Sequence, residues 1–233
     1  MSSEKLKNIY MWGTKCLIYA IPFLPLYVSS SLIFPYIEGR TYAFRILVEL
    51  AAVLWLGLIV INKEYKPQNS PLFSSILLFT FVVGLADLFG VNPYKSFWSN
   101  YERMEGYVTI LHLSLYFIVA RSVIRTKKDR MIFMGLFVIA GAGVSLYALY
   151  HRLIIGFSFR ESGTIGHPTF LASYLLQVFF IGLLLLLNSR KEIIKNILLS
   201  AMILFAYVIY ISAARGRVLA AYCGIIVFSL FYI

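Results

Sequence analysis

Apolar runs of roughly 20 residues recur along this chain, each long enough to cross about 30 Å of hydrocarbon as a helix. About eight are readable: 15–35, 41–61, 71–90, 107–124, 131–151, 168–188, 196–213 and 217–233. Inside a bilayer the backbone amides and carbonyls must find partners within their own segment, so runs of this length fold as α-helices. A chain of 233 residues that is 61% hydrophobic and 13% charged has far more apolar surface than a soluble core needs. The expected class is all-α: a polytopic membrane protein with residues 1–233 as one transmembrane helical domain. The last run is still apolar at FSLFYI, which reads as the end of an N-terminal fragment.

Orientation follows from the basic residues in short loops. The N-terminus and every second loop hold Lys5, Lys7, Lys15, Lys63, Lys66, Arg121, Arg125, Lys127, Lys128, Arg130, Arg190, Lys191 and Lys195, which is 13 of the 21 basic residues. That side is expected to be cytoplasmic. The opposite side holds Arg40, Arg45, Lys95, Arg103, Arg152, Arg160, Arg215 and Arg217, all but one of them arginine. Lysine serves as a solvated topology charge, whereas the arginine fork grips phosphate or carboxylate through two bonds at once. The outer face therefore reads either as a site for an anion or as a set of snorkelling helix anchors.

Within the spans, Pro22 and Pro25 predict a kink in the first. Arg45 and Glu49 lie one helical turn apart, so Glu49 is expected to pair with Arg45 or to be protonated. Asp87 could counter an outer arginine. Gly141 and Ser145 allow close helix approach. His112 and His151 read as structural, since neither has a second ligand at metal spacing. Cys16 and Cys223 lie in spans and fit packing better than a disulfide or a metal site.

Three outward segments concentrate the arginines. In NPYKSFWSNYERMEG, residues 92–106, the aromatics suit a membrane interface, and Trp98, Glu102 and Glu105 fall at helical spacing. The segment is expected to lie flat as a helix with Arg103 on another face. In FSFRESGTIGHPTFLASYL, residues 157–175, Arg160 and Glu161 precede a Ser-Gly turn and the helix start at Pro168. His167 is there the best internal candidate for acid or base work, with a turn-stabilising role as the alternative. In ISAARGRVLAAYCG, residues 211–224, Arg215 and Arg217 flank Gly216 in a tight turn and call for an anion, either a lipid headgroup or a pyrophosphate.

In this order the three segments resemble the O-antigen ligase and O-antigen polymerase superfamily of bacterial membrane glycosyltransferases, over roughly residues 70–233. SFWSNYERMEGYVTILHL is similar to the family's aromatic-rich loop with an arginine and a glycine. RESGTIGHPTFLASYLL resembles its arginine, turn and Gly-Asn-Pro pattern, with His167 where asparagine is common. ISAARGRVLAAYCG is similar to its Ser-Arg-Gly-Ala turn, with Arg215 at the arginine. The resemblance implies a transferase of lipopolysaccharide and cell-envelope synthesis, in the bacterial cytoplasmic membrane. It would take an undecaprenyl-pyrophosphate-linked glycan as donor and a glycan, lipid or protein as acceptor. Membrane lipids are expected partners, nucleic acid is not, and neither a metal nor another cofactor is expected. Arg160 and Arg215 would hold the pyrophosphate, with Arg217, Arg103 and His167 as further binding candidates. The family's catalytic histidine would lie in a loop beyond residue 233. The rival reading is a lipid-glycan transporter or a non-catalytic assembly subunit.

Overall fold

Pro22 and Pro25 stop the first helix. A proline supplies no amide for the ladder and clashes with the preceding turn, so α1 (Ser3–Ala20) gives way to a 3-10 segment, Ile21–Leu26. The expected span 15–35 is thereby corrected at both ends. The helix begins among the polar N-terminal residues, and the chain from Tyr27 to Ile37 forms turns. The computed structural model describes residues 3–156 and 160–232. Beyond α1 it contains α2 (Glu38–Ile61), α3 (Pro71–Leu88), the short α4 (Pro93–Trp98), α5 (Tyr107–Val123), α6 (Lys127–Tyr150), α7 (Pro168–Asn188), α8 (Glu192–Ile211) and α9 (Arg215–Tyr232). Among the described residues there is no strand, and the molecule is all-helical.

Among the described residues, six helical segments are long and apolar enough to cross a membrane: Glu4–Leu26, α2, α3, Lys127–Ile154, α7 and α8. The apolar helix α5, with 17 residues, is shorter.

Three helices open in the same way. Ser70, Asn92 and His167 each accept a hydrogen bond from a backbone amide in the first turn, and each is followed by proline. Proline suits the first helical position because the amide it lacks would have no partner there.

The helices group into two compact units, Met1–Leu24 with Val28–Arg130, and Pro25–Tyr27 with Met131–Ile233. In the first, α2 packs on α1 and α5, and α3 packs on α5. Val48, Leu58 and Val119 are fully buried there. Polar links also hold this unit together. Thr80 and Ser114 share a buried 2.6 Å hydrogen bond, and Lys15 meets Asp129 at 2.8 Å. Lys15, expected as a solvated topology charge, is thus a buried pairing residue. Bringing two charges out of water is offset only when they meet in good geometry.

In the second unit the buried core runs through Val144, Leu171, Leu175, Val178, Phe205 and Val208. Gly141 admits α7 and α8 to α6: a Cβ there would lie 2.8 Å from Val178 Cγ1 and 3.4 Å from Phe205 Cζ. The expected small-residue approach on α6 therefore exists at Gly141. Ser145, on the same face, is fully buried and its hydroxyl has no hydrogen-bond partner among the described residues.

Candidate functional site

The arginine-bearing segments fall in both units, and each unit has its own chemistry. In the first, residues 92–106 form a short helix and a return loop rather than one flat helix. Asn92 caps α4 by accepting from the Lys95 amide at 3.0 Å. Ser99 then takes φ +64°, which ends the helix after Trp98. Glu102 sits in a turn and Glu105 beyond it, so the expected face of Trp98, Glu102 and Glu105 does not form. Arg103 is exposed and forms no ion pair among the described residues, so the neighbouring glutamates do not satisfy it. The loop returns over Gly106, which seats against the backbone of Phe97 and Ser99.

The charged residues of α2 choose partners other than their sequence neighbours. Arg45 donates from Nη2 to the Met104 carbonyl at 3.2 Å and to Thr109 Oγ1 at 3.0 Å. Glu49 pairs instead with His112 Nε2 at 2.9 Å. The i, i+4 geometry makes Arg45 and Glu49 neighbours, but the Met104 carbonyl and Thr109 take the one and the imidazole on α5 takes the other. Glu38 is fully buried and accepts from the Phe34 amide at 2.9 Å and from the Tyr101 hydroxyl at 3.1 Å. That bond to the carboxylate, with loss of solvent, pushes the Tyr101 phenol above its ordinary range.

Two hollows flank this loop. One, of about 250 Å³, is lined by Phe81, Gly84, Leu85, Asp87, Leu88, Pro93, Phe97 and Tyr107. Asp87 thus borders an apolar cavity; it makes no ion pair with an arginine among the described residues. The other, of about 370 Å³ and more open, is polar and bordered by Asn92, Lys95, Ser96, Ser99, Asn100, Glu105 and Gly106.

In the second unit the other two arginine segments come together. The Glu161 amide donates to the Ile211 carbonyl at 3.4 Å, which joins the loop of Arg160 to the end of α8. Arg217 Nε donates to Ser173 Oγ at 2.9 Å, which joins the first turn of α9 to α7. Arg160 and Arg215 are both exposed. The Arg215 side chain has no partner among the described residues, whereas Arg217 is partly occupied by Ser173. The sharp reversal before α9 falls on Ala213, at φ +53°, and Gly216 lies inside the first turn of the helix with open space beside it. Gly163 at φ +52° and Gly166 at φ +82°, in the loop that leads to α7, do take left-handed backbone.

His167 Nδ1 accepts from the Thr169 amide at 3.2 Å, so the imidazole does the work of an asparagine cap. Its exposed ring leans on Phe170 at 5.0 Å. This is the turn-stabilising alternative.

Two residues of larger chemical interest were not among the expected site residues. Glu161 is 1% exposed, and its Oε1 accepts from the amides of Ser162 at 3.2 Å and Gly163 at 3.0 Å. Its Oε2 is buried with no hydrogen-bond partner among the described residues. Across from Oε1, at 3.5 Å, stands Nδ1 of His151, on a π-helical turn, His151–Ile155, that follows α6. The one sequence signal for this pair is an acid set inside an arginine-rich loop. No group of three or more His, Cys, Asp or Glu among the described residues is arranged to hold a metal ion.

No protein-family model, curated protein or solved structure matches the chain.

Proposed function

We propose that the chain belongs to a bacterial membrane glycosyltransferase of the O-antigen ligase or polymerase kind. In this reading it has about eight spans with the N-terminus in the cytoplasm. It takes a glycan from an undecaprenyl-pyrophosphate carrier at the outer face of the cytoplasmic membrane. The reading is carried by one observation. The loop of Arg160 and the turn before Arg215, 50 residues apart in sequence, are joined through the Glu161 to Ile211 hydrogen bond, and both side chains reach solvent.

Two exposed guanidinium groups on joined loops suit a lipid pyrophosphate, since each can bind two oxygens of an anion. As the bond from the sugar to the pyrophosphate breaks, negative charge grows on the leaving oxygen, and fixed cations there lower the barrier. Arg217 supports the arrangement by fixing α9 to α7.

The test is glycan transfer from an undecaprenyl-pyrophosphate-linked donor by the protein in membranes, with Arg160→Ala and Arg215→Ala. Each should lower transfer by about 10²-fold or more, the scale of losing one charge-stabilising donor, while membrane insertion stays intact. Unchanged transfer in both variants would rule out the arginine clamp.

A further inference from the structure

Independently of the transferase reading, we propose that Glu49 and His112 form a proton-binding site among the apolar helices of the first unit, with the proton resident on Glu49. The ligand is a single exchangeable proton, held between a carboxyl group of α2 and an imidazole of α5.

The two hydrogen bonds of His112 fix where protons can be. Nδ1 lies 2.7 Å from the Val108 carbonyl, which can only accept, so Nδ1 carries a hydrogen. In a neutral imidazole that leaves Nε2 as a bare acceptor. Nε2 lies 2.9 Å from Glu49 Oε1, and an ionised carboxylate is likewise only an acceptor. This contact therefore needs one proton, either on the acid, with O–H donating to the ring, or on the ring as imidazolium.

The surroundings decide between the two. Glu49 lies near the middle of α2, a 24-residue helix apolar enough to cross a membrane. Its side chain is 61% exposed, on one stripe with the exposed Ile46, Leu50, Val53 and Leu56, whereas the His112 ring is 13% exposed. In a bilayer that stripe meets hydrocarbon, where a carboxylate is far more costly than a carboxylic acid. The proton therefore sits on Glu49.

Other charged and titratable groups lie on the elements packed round the pair. Arg45 on α2 and Tyr116 on α5 stand one turn away. On α1, Lys15 and Tyr19 are held by Asp129. Asp87 on α3 borders the apolar hollow, and Lys95 on α4 borders the polar one. The charges of Lys63–Tyr65 follow the end of α2, about 20 Å along its axis.

Loss of the proton sets two acceptors, the carboxylate and Nε2, against each other, so the link between α2 and α5 breaks. The freed carboxylate has a cation one turn away, Arg45, whose buried Nε has no hydrogen-bond partner among the described residues. Proton uptake and release thus move Glu49 between His112 and Arg45, and the packing of α2 on α5 follows the proton. Acids and histidines within membrane spans serve pumps and transporters as proton relays.

The experiment treats the whole chain in lipid vesicles with dicyclohexylcarbodiimide. This apolar reagent adds to a protonated carboxyl group and leaves a stable acylurea, which peptide mass spectrometry locates. A solvated glutamate keeps its proton less than about 1% of the time at neutral pH, so Glu49 should take up at least about 10-fold more label than the exposed Glu64 and Glu102. Nitrogen NMR of labelled histidine should show His112, assigned by its loss in His112→Gln, as a neutral ring protonated on Nδ1. Glu49→Gln should keep that signature, because its amide can donate to Nε2, and Glu49→Val should shift the Nε2 signal to that of an acceptor without a donor. A Glu49 labelled no more than the exposed glutamates, an imidazolium at His112, or a ring protonated on Nε2 alone would each overturn the assignment. These readings come from the wild-type chain and hold whether or not it transfers glycan.

Discussion

At Gly106 an added Cβ would collide with the Phe97 carbonyl oxygen and stand 2.7 Å from the Ser99 nitrogen, and both are backbone atoms that cannot swing aside. Gly106→Ala is expected to cost about 1–3 kcal/mol, the usual range for overpacking, visible as a lower melting temperature in detergent. His167 makes a different kind of demand, because only its Nδ1 lone pair is used. His167→Asn should keep the cap on α7, while His167→Ala should lose about 1 kcal/mol, again read by thermal melting. A stability equal to wild type in the alanine variant would show that the cap contributes nothing. Single residues of this sort were only partly legible. The proline after His167 announced a helix start, but no local pattern says that an imidazole will act as the cap. Nor does any spacing rule pair His151 with Glu161, because the link forms across a loop and a π-helical turn.

Elements were the most legible level, since a continuous apolar run long enough to span hydrocarbon admits one regular structure. The starts of α3 and α7 agree with the expected runs, and α2 and α5 end within a residue of theirs. The errors lie where charge was read without its tertiary partner. Lys15 was assigned to solvent and is 7% exposed against Asp129, a partner 114 residues away in sequence. Helical spacing leaves Glu49 either paired with Arg45 or protonated, yet His112 on a neighbouring helix takes it. Helical spacing from Trp98 to Glu105 was equally misleading, because a positive φ at Ser99 ends α4. The Lys15 pair yields a direct test. Lys15→Met or Asp129→Leu alone leaves one buried charge and should cost about 3–5 kcal/mol. The double variant should recover most of that loss, measured by denaturation of the four proteins of the cycle. Additive losses would mean that the two groups do not depend on each other.

For the molecule as a whole, the distribution of charge makes a prediction about sidedness. The turn between α7 and α8 carries Arg190 and Lys191, and the loop before α7 carries Arg160. With both native cysteines replaced by serine, a cysteine at position 190 should resist a membrane-impermeant thiol reagent in intact cells, and one at the exposed position 160 should react. The opposite labelling would invert the proposed orientation and place the Arg160 and Arg215 loops in the cytoplasm. Cys16 and Cys223 need replacing because both are free and exposed on the protein surface, not packed in a core as their place in apolar runs had implied.

The three starts made by a capping side chain and a proline bear on how the protein is synthesised. Ser70, Asn92 and His167 each bond an amide only two or three residues ahead, so none of these starts requires a distant part of the chain. At the usual pace of about 5–20 residues per second, each can form well within a second of its last residue leaving the ribosome. The long-range links, Lys15 with Asp129 and Glu161 with Ile211, must wait for tens of further residues. Helix boundaries on α3, α4 and α7 are thus settled early in translation, and the long-range joints close late.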